Sequence, residues 1–356
     1  FDAVHLPYSF HHVVEWSGEQ TETGEQTDYA VNLFHLQPSV WLSFLKQFDR
    51  RKLDGHYNIA FWLWETPELP KEWHQVCDFF DEIWVPSVFV ARTIRKVTDK
   101  PIRVQYYGIC KENTEQPDAQ AARRRYQIPA EAFLCLILYD GRSSIERKNP
   151  FGSLEAYCRA FPTVPEDVYL VIKGKGFTKA DRRKLERKLQ GRRHVIWVDG
   201  VLSWQETQEL LAAADVLLSL HRAEGFGLPV AELMNYGGVA VATDYSSTAE
   251  FLDQSCGCPV AYRLLRTKWD HSLYRKGTIW AAPDAEDAAV QLKELYTDPA
   301  WRRRLGEAAQ ERIRGMLCAE KNGKVILRRL EKICGGLTFQ AGVNIMVDKN
   351  ADVNLE

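Results

Sequence analysis

The chain is poor in the features that settle a protein's class at a glance. It carries no excess of either charge: 46 Lys and Arg stand against 48 Asp and Glu, a formal net charge of −2 in 356 residues. There is therefore no global electrostatic case for a nucleic-acid partner. No apolar run is long enough to span a membrane, and no charged-then-apolar signal opens the chain. The eight cysteines are scattered. Cys256 and Cys258 form the one close pair, without the second pair a zinc site needs, so reduced thiols are expected rather than a disulfide framework. No Gly-x-Gly-x-x-Gly follows a first strand, which argues against a dinucleotide oxidoreductase. The default compartment is the cytoplasm. Position 1 is Phe rather than Met, and a fragment of something longer is expected.

What is present is an alternation of strands and helices, in two blocks. In the first, residues 31–35, 57–64, 83–86 and 102–106 read as strands. Residues 41–48 and 70–80 read as helices, and Ser87 caps another running to 96. This order predicts a parallel sheet covered by helices. Ligand groups gather at the C-terminal ends of such strands, where His35 and Glu65 fall. For His35, a hydrogen-bonded strand-end histidine is an equally good reading. Trp62 and Trp64 fit core and rim better than sugar platforms. Residues 1–28 read as a loop, with His11 and His12 a surface pair.

After a polar linker over 111–122 the alternation restarts. Strands are expected at 133–139, 168–173, 194–198, 215–219 and 239–243, and helices at 151–161, 178–190, 203–213, 284–297 and 299–315. Residues 140–150, DGRSSIERKNP, read as a charged loop. The strongly basic helix at 178–190 interleaves acidic residues, so a solvated face is expected rather than a polyanion site. Residues 341–347 look like a lone strand. Asp348, Asn350 and Asp352 match the first oxygens of a calcium loop, but Val353 stands where glycine is required, so an ordinary tail is expected. Leu355-Glu356 reads as vector-derived.

The chain is organised around residues 219–232, SLHRAEGFGLPVAE: a strand end, a glycine-punctuated turn and the first turn of a helix. Gly225 and Gly227 let another molecule approach the main chain, and Pro229 suits a helix start. Free amides at a helix N-terminus are suited to an anion. Glu224 precedes the turn, where a ligand's reacting end would lie. Glu232 follows eight residues later, able to accept two hydrogen bonds from a diol. A nucleotide-sugar offers these features in that order.

EGFGLPVAE resembles the Glu-x(7)-Glu motif of retaining GT-B glycosyltransferases of the family-4 type, the glycosyltransferases group 1. GGVAVATDYSSTAEF resembles its continuation. NIAFWLWETPELPKEW, DEIWVPSVFV, ERKNP and WAAPD extend the resemblance in order from Val31 to Arg314. It implies an α/β architecture, the GT-B fold, with two Rossmann-like domains facing each other across a cleft. Residues 1–110 would form the acceptor side, lacking its first strand, and 111–315 the donor side. Residues 316–356 would be a helix and tail that pack back or lead to another glycosyltransferase module.

The resemblance also assigns roles. The amides of Gly225, Phe226, Gly227 and Leu228 would contact donor sugar and phosphates. Glu224 would bind sugar hydroxyls and stabilise positive character at the anomeric carbon, and Glu232 would bind the ribose. Arg142 and Lys148 would hold the departing diphosphate, with Arg147 the competing choice to Arg142. One cation about 4 Å from that charge, at an effective dielectric near 20, is worth roughly 4 kcal/mol. His35 and Glu65 would face the acceptor. No Asp-x-Asp lies near these motifs, so no metal is expected and no cofactor beyond the nucleoside diphosphate-sugar donor. The acceptor would be a glycan or lipid-linked hydroxyl in bacterial polysaccharide or lipopolysaccharide assembly, compatible with peripheral contact at the inner membrane face. A GT-B nucleotide-sugar epimerase and a non-catalytic glycan-binding module of a larger synthase are the rival readings.

Overall fold

The computed structural model describes residues 6–12, 29–44, 48, 50–110, 116–268, 270, 273–335 and 340–347. The partial calcium pattern, the terminal Leu355-Glu356 and most of 1–28 lie outside these. The chain forms two compact units, one of residues 1–112 and 317–356, the other of 113–316.

The first unit opens on β1 (Tyr8–His12), so part of the stretch expected as loop is a strand. It continues through β2 (Tyr29–His35), helix α1 (Pro38–Phe44), β3 (Tyr57–Phe61), β4 (Glu82–Val85), α2 (Val88–Ile94) and β5 (Ile102–Val104). The helix expected over 70–80 is present as a 3-10 helix over Lys71–Phe79. Strands β2 to β5 pair in parallel, each with the next. Strand β2 is buried except at His35, as expected for a parallel sheet covered on both faces. One face carries an aromatic core: Phe34 meets Trp41 at 4.8 Å and Phe80 at 5.5 Å, and Trp62 meets Phe80 at 5.8 Å. Trp62 and Trp64 are buried, in keeping with the core reading.

The second unit contains α3 (Ala119–Arg125), β6 (Phe133–Asp140), the short helix α4 (Ile145–Lys148), α5 (Pro150–Ala160), β7 (Val168–Lys175), α6 (Lys179–Leu189), β8 (Val195–Asp199) and α7 (Trp204–Ala213). There follow β9 (Val216–Ser219), α8 (Leu228–Asn235), β10 (Val239–Thr243), β11 (Cys258–Val260), the hairpin β12 (Tyr262–Arg266) and β13 (Ile279–Pro283), α9 (Ala285–Thr297) and α10 (Pro299–Met316). Its main sheet has the order β11-β10-β9-β6-β7-β8, all parallel. The central strands are continuous apolar runs: Leu134, Leu136, Val171, Leu217 and Val241 are all buried. Helix α6 buries Leu185 and Leu189, and its cations meet acids: Lys188 pairs with Glu155 and Arg182 with Asp199. Its outer surface is the solvated face expected.

The chain then returns to the first unit as α11 (Ala319–Cys334) and β14 (Gln340–Val347). The last strand, read from sequence as solitary, lies between β1 and β2 and pairs with both in parallel. Leu330 and Ile333 of α11 pack against Val31, Leu33, Val343 and Ile345. Two polar devices hold this arrangement. Asn344 Nδ2 donates to Asn32 Oδ1 and Asn32 Nδ2 to Asn58 Oδ1, each at 3.0 Å, tying β14 to β2 to β3. Glu82, fully buried, accepts from Trp84 Nε1 at 2.8 Å and pairs with Arg103 and with Arg329 of α11. A buried carboxylate is tolerable only when paired and hydrogen-bonded in this way. All eight cysteines are free thiols.

Candidate active site

The site grows out of the C-terminal ends of β6 and β9, which are neighbours in the second sheet. Strand β9 is apolar, and Leu220 beyond it is fully buried. The chain then turns polar while remaining inside the protein. Leu220 N–H donates to Ser153 Oγ at 3.1 Å, and its carbonyl accepts from Asn149 Nδ2 at 2.8 Å. Arg222 N–H donates to the Arg147 carbonyl at 2.7 Å. These bonds strap the segment 147–153 to the segment 220–224, so residues far apart in sequence share one wall.

On that wall Lys148 Nζ stands 2.6 Å from Glu224 Oε1, and Arg147 reaches Glu224 Oε2 at 3.3 Å. Arg147, at 2% exposure, also donates to the Ala223 carbonyl at 2.8 Å. Burial alone would push the Glu224 carboxyl up. Lys148 and Arg147 overcome it and hold the pKa down at about 2. Glu224 is thus a fixed anion at neutral pH. Its own N–H donates to Ser246 Oγ at 2.8 Å. Lys148 lies on the helical turn α4, where sequence reading expected plain loop. Ser144 caps that turn through its side chain, and Asn149 ends it in the left-handed region at φ 52°. Ser144, Asn149 and Ser246 are three of the five non-glycine residues with positive φ among those described. Such strain persists where surrounding structure enforces it, often at functional sites.

The turn after Glu224 leads into α8 through Gly227, at φ +97°. A Cβ at that position would lie 2.4 Å from Thr248 Cγ2, so both conformation and space call for glycine. Phe226 is buried against Phe251, and Leu228 is exposed at the first helical position. Gly227, Lys148 and Glu224 line one cavity together with Leu138, Ser219 and Pro229.

Glu232 lies one turn into α8. Its one hydrogen-bond partner among the described residues is Gln208 Nε2 of α7, at 3.3 Å. Burial raises its pKa to about 7, opposed only by Gln208. Arg142 sits apart from the Lys148–Glu224 contact: its side chain is well exposed and pairs with Asp140 at 3.3 Å. His35 and Glu65 belong to the first unit, near the C-terminal ends of the adjacent strands β2 and β3. His35 is exposed, with its ring 5.0 Å from Phe61, and Glu65 is half-buried four residues beyond β3. Among the described residues, no three histidine, cysteine, aspartate or glutamate side chains are grouped as a metal site would need.

Sequence reading missed three supporting residues. Ser246 lay within the motif-bearing segment GGVAVATDYSSTAEF and could have been found there. Gln208 carries no local signal. His221 is fully buried, with Ser219 Oγ and Thr248 Oγ1 each 3.1 Å from its ring nitrogens. Burial pushes its pKa down to about 4, so it is a neutral brace between β9 and the 246–248 segment.

No curated protein matches this chain. Solved structures do. A glycosyltransferase from Rickettsia africae superposes with a TM-score of 0.64 at 13% identity, covering 86% of this chain and 77% of that one. Sucrose-phosphate synthase from Thermosynechococcus elongatus gives 0.60 at 18% identity, with 85% and 74% covered. Anabaena HepE in complex with UDP and glucose gives 0.59 at 13%, with 83% and 81% covered. At such identities the likeness establishes the fold, GT-B with two Rossmann-like α/β units. Residues 135–312, half of the chain and the whole of the wall just described, match the family described as glycosyl transferases group 1, and the chain belongs to that family.

Proposed function

We propose that this protein transfers a sugar from a nucleoside diphosphate to an acceptor hydroxyl with retention at the anomeric carbon. The observation that carries the proposal is the contact of Lys148 with Glu224 beside the turn 225–228. The Lys148 ammonium, the helix start at Gly227 and the fixed carboxylate of Glu224 border one cavity. That combination suits a substrate with an anionic leaving group and a carbon that becomes positive as the bond breaks.

We assign the roles as follows. The amides of Gly225, Phe226, Gly227 and Leu228 meet phosphate and sugar oxygens. Lys148 neutralises the charge that grows on the departing diphosphate, assisted from the exposed side by Arg142. Arg147 is a positioning residue, since its buried guanidinium holds Ala223 and Glu224. Glu224 binds sugar hydroxyls and stabilises the developing oxocarbenium character. With a pKa of about 2 it is a poor proton acceptor at neutral pH. We assign the acceptor's proton to an oxygen of the leaving phosphate, on the same face as the attack, as the family resemblance implies. Glu232 accepts the ribose hydroxyls. HepE, of the same fold, binds UDP and glucose, which supports a nucleotide-sugar donor. The acceptor class we assign is a glycan or lipid-linked hydroxyl of bacterial surface-polysaccharide assembly, with His35 and Glu65 on the acceptor side.

The test is product analysis by NMR after incubation with a panel of nucleotide-sugars and glycan acceptors. A product with the donor's anomeric configuration supports the proposal. An inverted product, or a donor epimerised with no acceptor present, contradicts it.

A further inference from the structure

Strand β12 is one half of a two-stranded sheet whose other half is β13. The inner strand is rooted in the second unit, with Trp280 and Ala281 buried. The outer strand is not: all five residues of β12, Tyr-Arg-Leu-Leu-Arg, are exposed. Successive side chains of a strand point to opposite faces, so Leu264 and Leu265 leave apolar surface on both. A single exposed leucine carries no information. Here four of the nine large apolar side chains exposed among the described residues, Tyr262, Leu264, Leu265 and Leu273, fall within residues 262–273. Such a concentration marks a contact surface.

The charge around it says what the contact is. Residues 262–278 carry five Lys and Arg against one Asp, in a chain whose net charge is −2. Arg263, Arg266, Lys268, Arg275 and Lys276 are all exposed. Arg266 donates to the Gly277 carbonyl at 3.0 Å and Asp270 accepts from the Lys276 N–H at 2.8 Å, so the cationic end is held together by its own bonds. Apolar side chains ringed by cations are complementary to a surface that is negative at its face and apolar just beneath. The leucines and the tyrosine suit the boundary between headgroups and acyl chains, with ammonium and guanidinium groups at the lipid phosphates. A second copy of the chain is a poorer occupant. Two β12 edges pairing antiparallel about Leu264 and Leu265 would set Arg263 opposite Arg266, like charge against like. A soluble polyanion would use the cations and leave the leucines in water.

We propose that the β12–β13 hairpin docks this protein on an anionic phospholipid surface. The hairpin is tied to the wall of the candidate site. Ala281 N–H donates to the Arg222 carbonyl at 2.8 Å, and the Arg222 guanidinium lies 5.6 Å from the centre of the Trp280 ring. The Tyr262 ring lies 5.2 Å from that of Tyr245, the neighbour of Ser246, whose hydroxyl accepts from the Glu224 N–H. A docked hairpin therefore holds the Lys148–Glu224 cavity beside the bilayer, a position that suits an acceptor carried on a lipid. The docking does not depend on the transfer reading, and its test uses no nucleotide.

The experiment is flotation of the chain with vesicles of phosphatidylcholine alone and of phosphatidylcholine mixed with phosphatidylglycerol, with polyuridylate as a soluble polyanion for comparison. The wild type should bind the anionic vesicles at least tenfold more tightly than the neutral ones, and less tightly as salt is raised. The triple variant Arg263→Gln, Lys268→Gln, Lys276→Gln should lose at least tenfold in affinity for the anionic vesicles, since each cation near such a surface contributes severalfold. Leu264→Ser, which keeps every charge, should also bind them several times more weakly. Both variants should melt with the wild type, because the altered side chains are exposed. A wild type that ignores the anionic vesicles, or binds the neutral ones equally, overturns the proposal. Unaltered vesicle binding in the triple variant places the contact elsewhere and also overturns it. Polyuridylate bound as tightly as the vesicles, with Leu264→Ser indistinguishable from wild type, makes the surface a polyanion site instead. A variant that melts well below wild type contradicts the proposal too, because those side chains would then serve the fold.

Discussion

Lys148 Nζ and Glu224 Oε1 are 2.6 Å apart across 76 positions of sequence. Arg147 takes the other carboxylate oxygen at 3.3 Å, so two cations and one anion leave the trio a single positive charge. The cation suited to a diphosphate is thus in contact with the carboxylate suited to the sugar. An arriving phosphate shares Lys148 with Glu224, and the departing one keeps it as negative charge grows. The first prediction follows. Glu224→Gln removes the competing anion, so nucleoside diphosphate should bind more tightly while sugar transfer falls more than tenfold. The substitution also strips Arg147 of its carboxylate, and loss of one partner of a buried pair costs on the order of 3 kcal/mol. Calorimetry, a transfer assay and a melting curve check the three parts. Full transfer activity in the variant refutes the role.

Glu232 predicts a pH effect on stability. Its pKa in the fold, about 7, lies above the ordinary 4.5. The ionised form is therefore the one the fold disfavours. The penalty is absent below pH 4.5 and complete above pH 7, reaching ~3 kcal/mol at most. Glu232→Gln should accordingly melt several degrees higher than wild type at pH 8 and at nearly the same temperature at pH 4.5. A variant that is less stable at pH 8 contradicts the burial account.

The same carboxyl predicts a pH effect on binding. A ribose diol donates to the ionised form, so nucleotide affinity should rise with pH through about 7 and binding should release a proton near pH 6.5. Calorimetry in buffers of different ionisation enthalpy reads that proton directly. Glu232→Gln should bind more weakly and without the pH dependence.

Gly227→Ala meets two obstacles, a φ of +97° and Thr248 Cγ2 at 2.4 Å from the new methyl. The left-handed conformation alone costs roughly 1–2 kcal/mol. Thr248→Ser removes the obstructing methyl while keeping the hydroxyl that meets His221 at 3.1 Å. Chemical denaturation should show the double variant recovering part of the loss, but not the part owed to φ. Complete recovery would mean that space, and not conformation, demands the glycine.

In the first unit, Asn344→Ala leaves Asn32 Oδ1 without its donor in a buried setting, since Asn344 Nδ2 supplies that bond at 3.0 Å. The cost should be about 1–3 kcal/mol, read from denaturant melts of the whole chain. An unchanged midpoint would show that the asparagine ladder does not hold β14 in register.

Residues 219–232 were legible because their signals are local: an apolar strand, two glycines, a proline and two glutamates within one turn of chain. Strands β6 to β10 were legible for the same reason, as short apolar runs between capped helices. What escaped was non-local. Strands β1 and β14 pair across more than 300 positions, with Tyr8 opposite Val343, and nothing within YSFHH announces a partner that distant. The lone-strand reading of 341–347 failed on the same ground. Of the candidate site, Glu224 and Lys148 were proposed from residue type and motif. Their contact could not be, because it depends on the straps from Asn149 and Ser153 to Leu220. The buried state of Arg147 has the same origin.

The most direct measurement is calorimetric titration of wild type and Lys148→Ala with the nucleoside diphosphate that the wild type prefers. The account predicts at least a tenfold loss of affinity in Lys148→Ala, measured well below the variant's melting temperature, which should itself fall because Glu224 keeps only Arg147 as its cationic partner. Undiminished affinity in the variant, or no binding of any nucleoside diphosphate by the wild type, would contradict it.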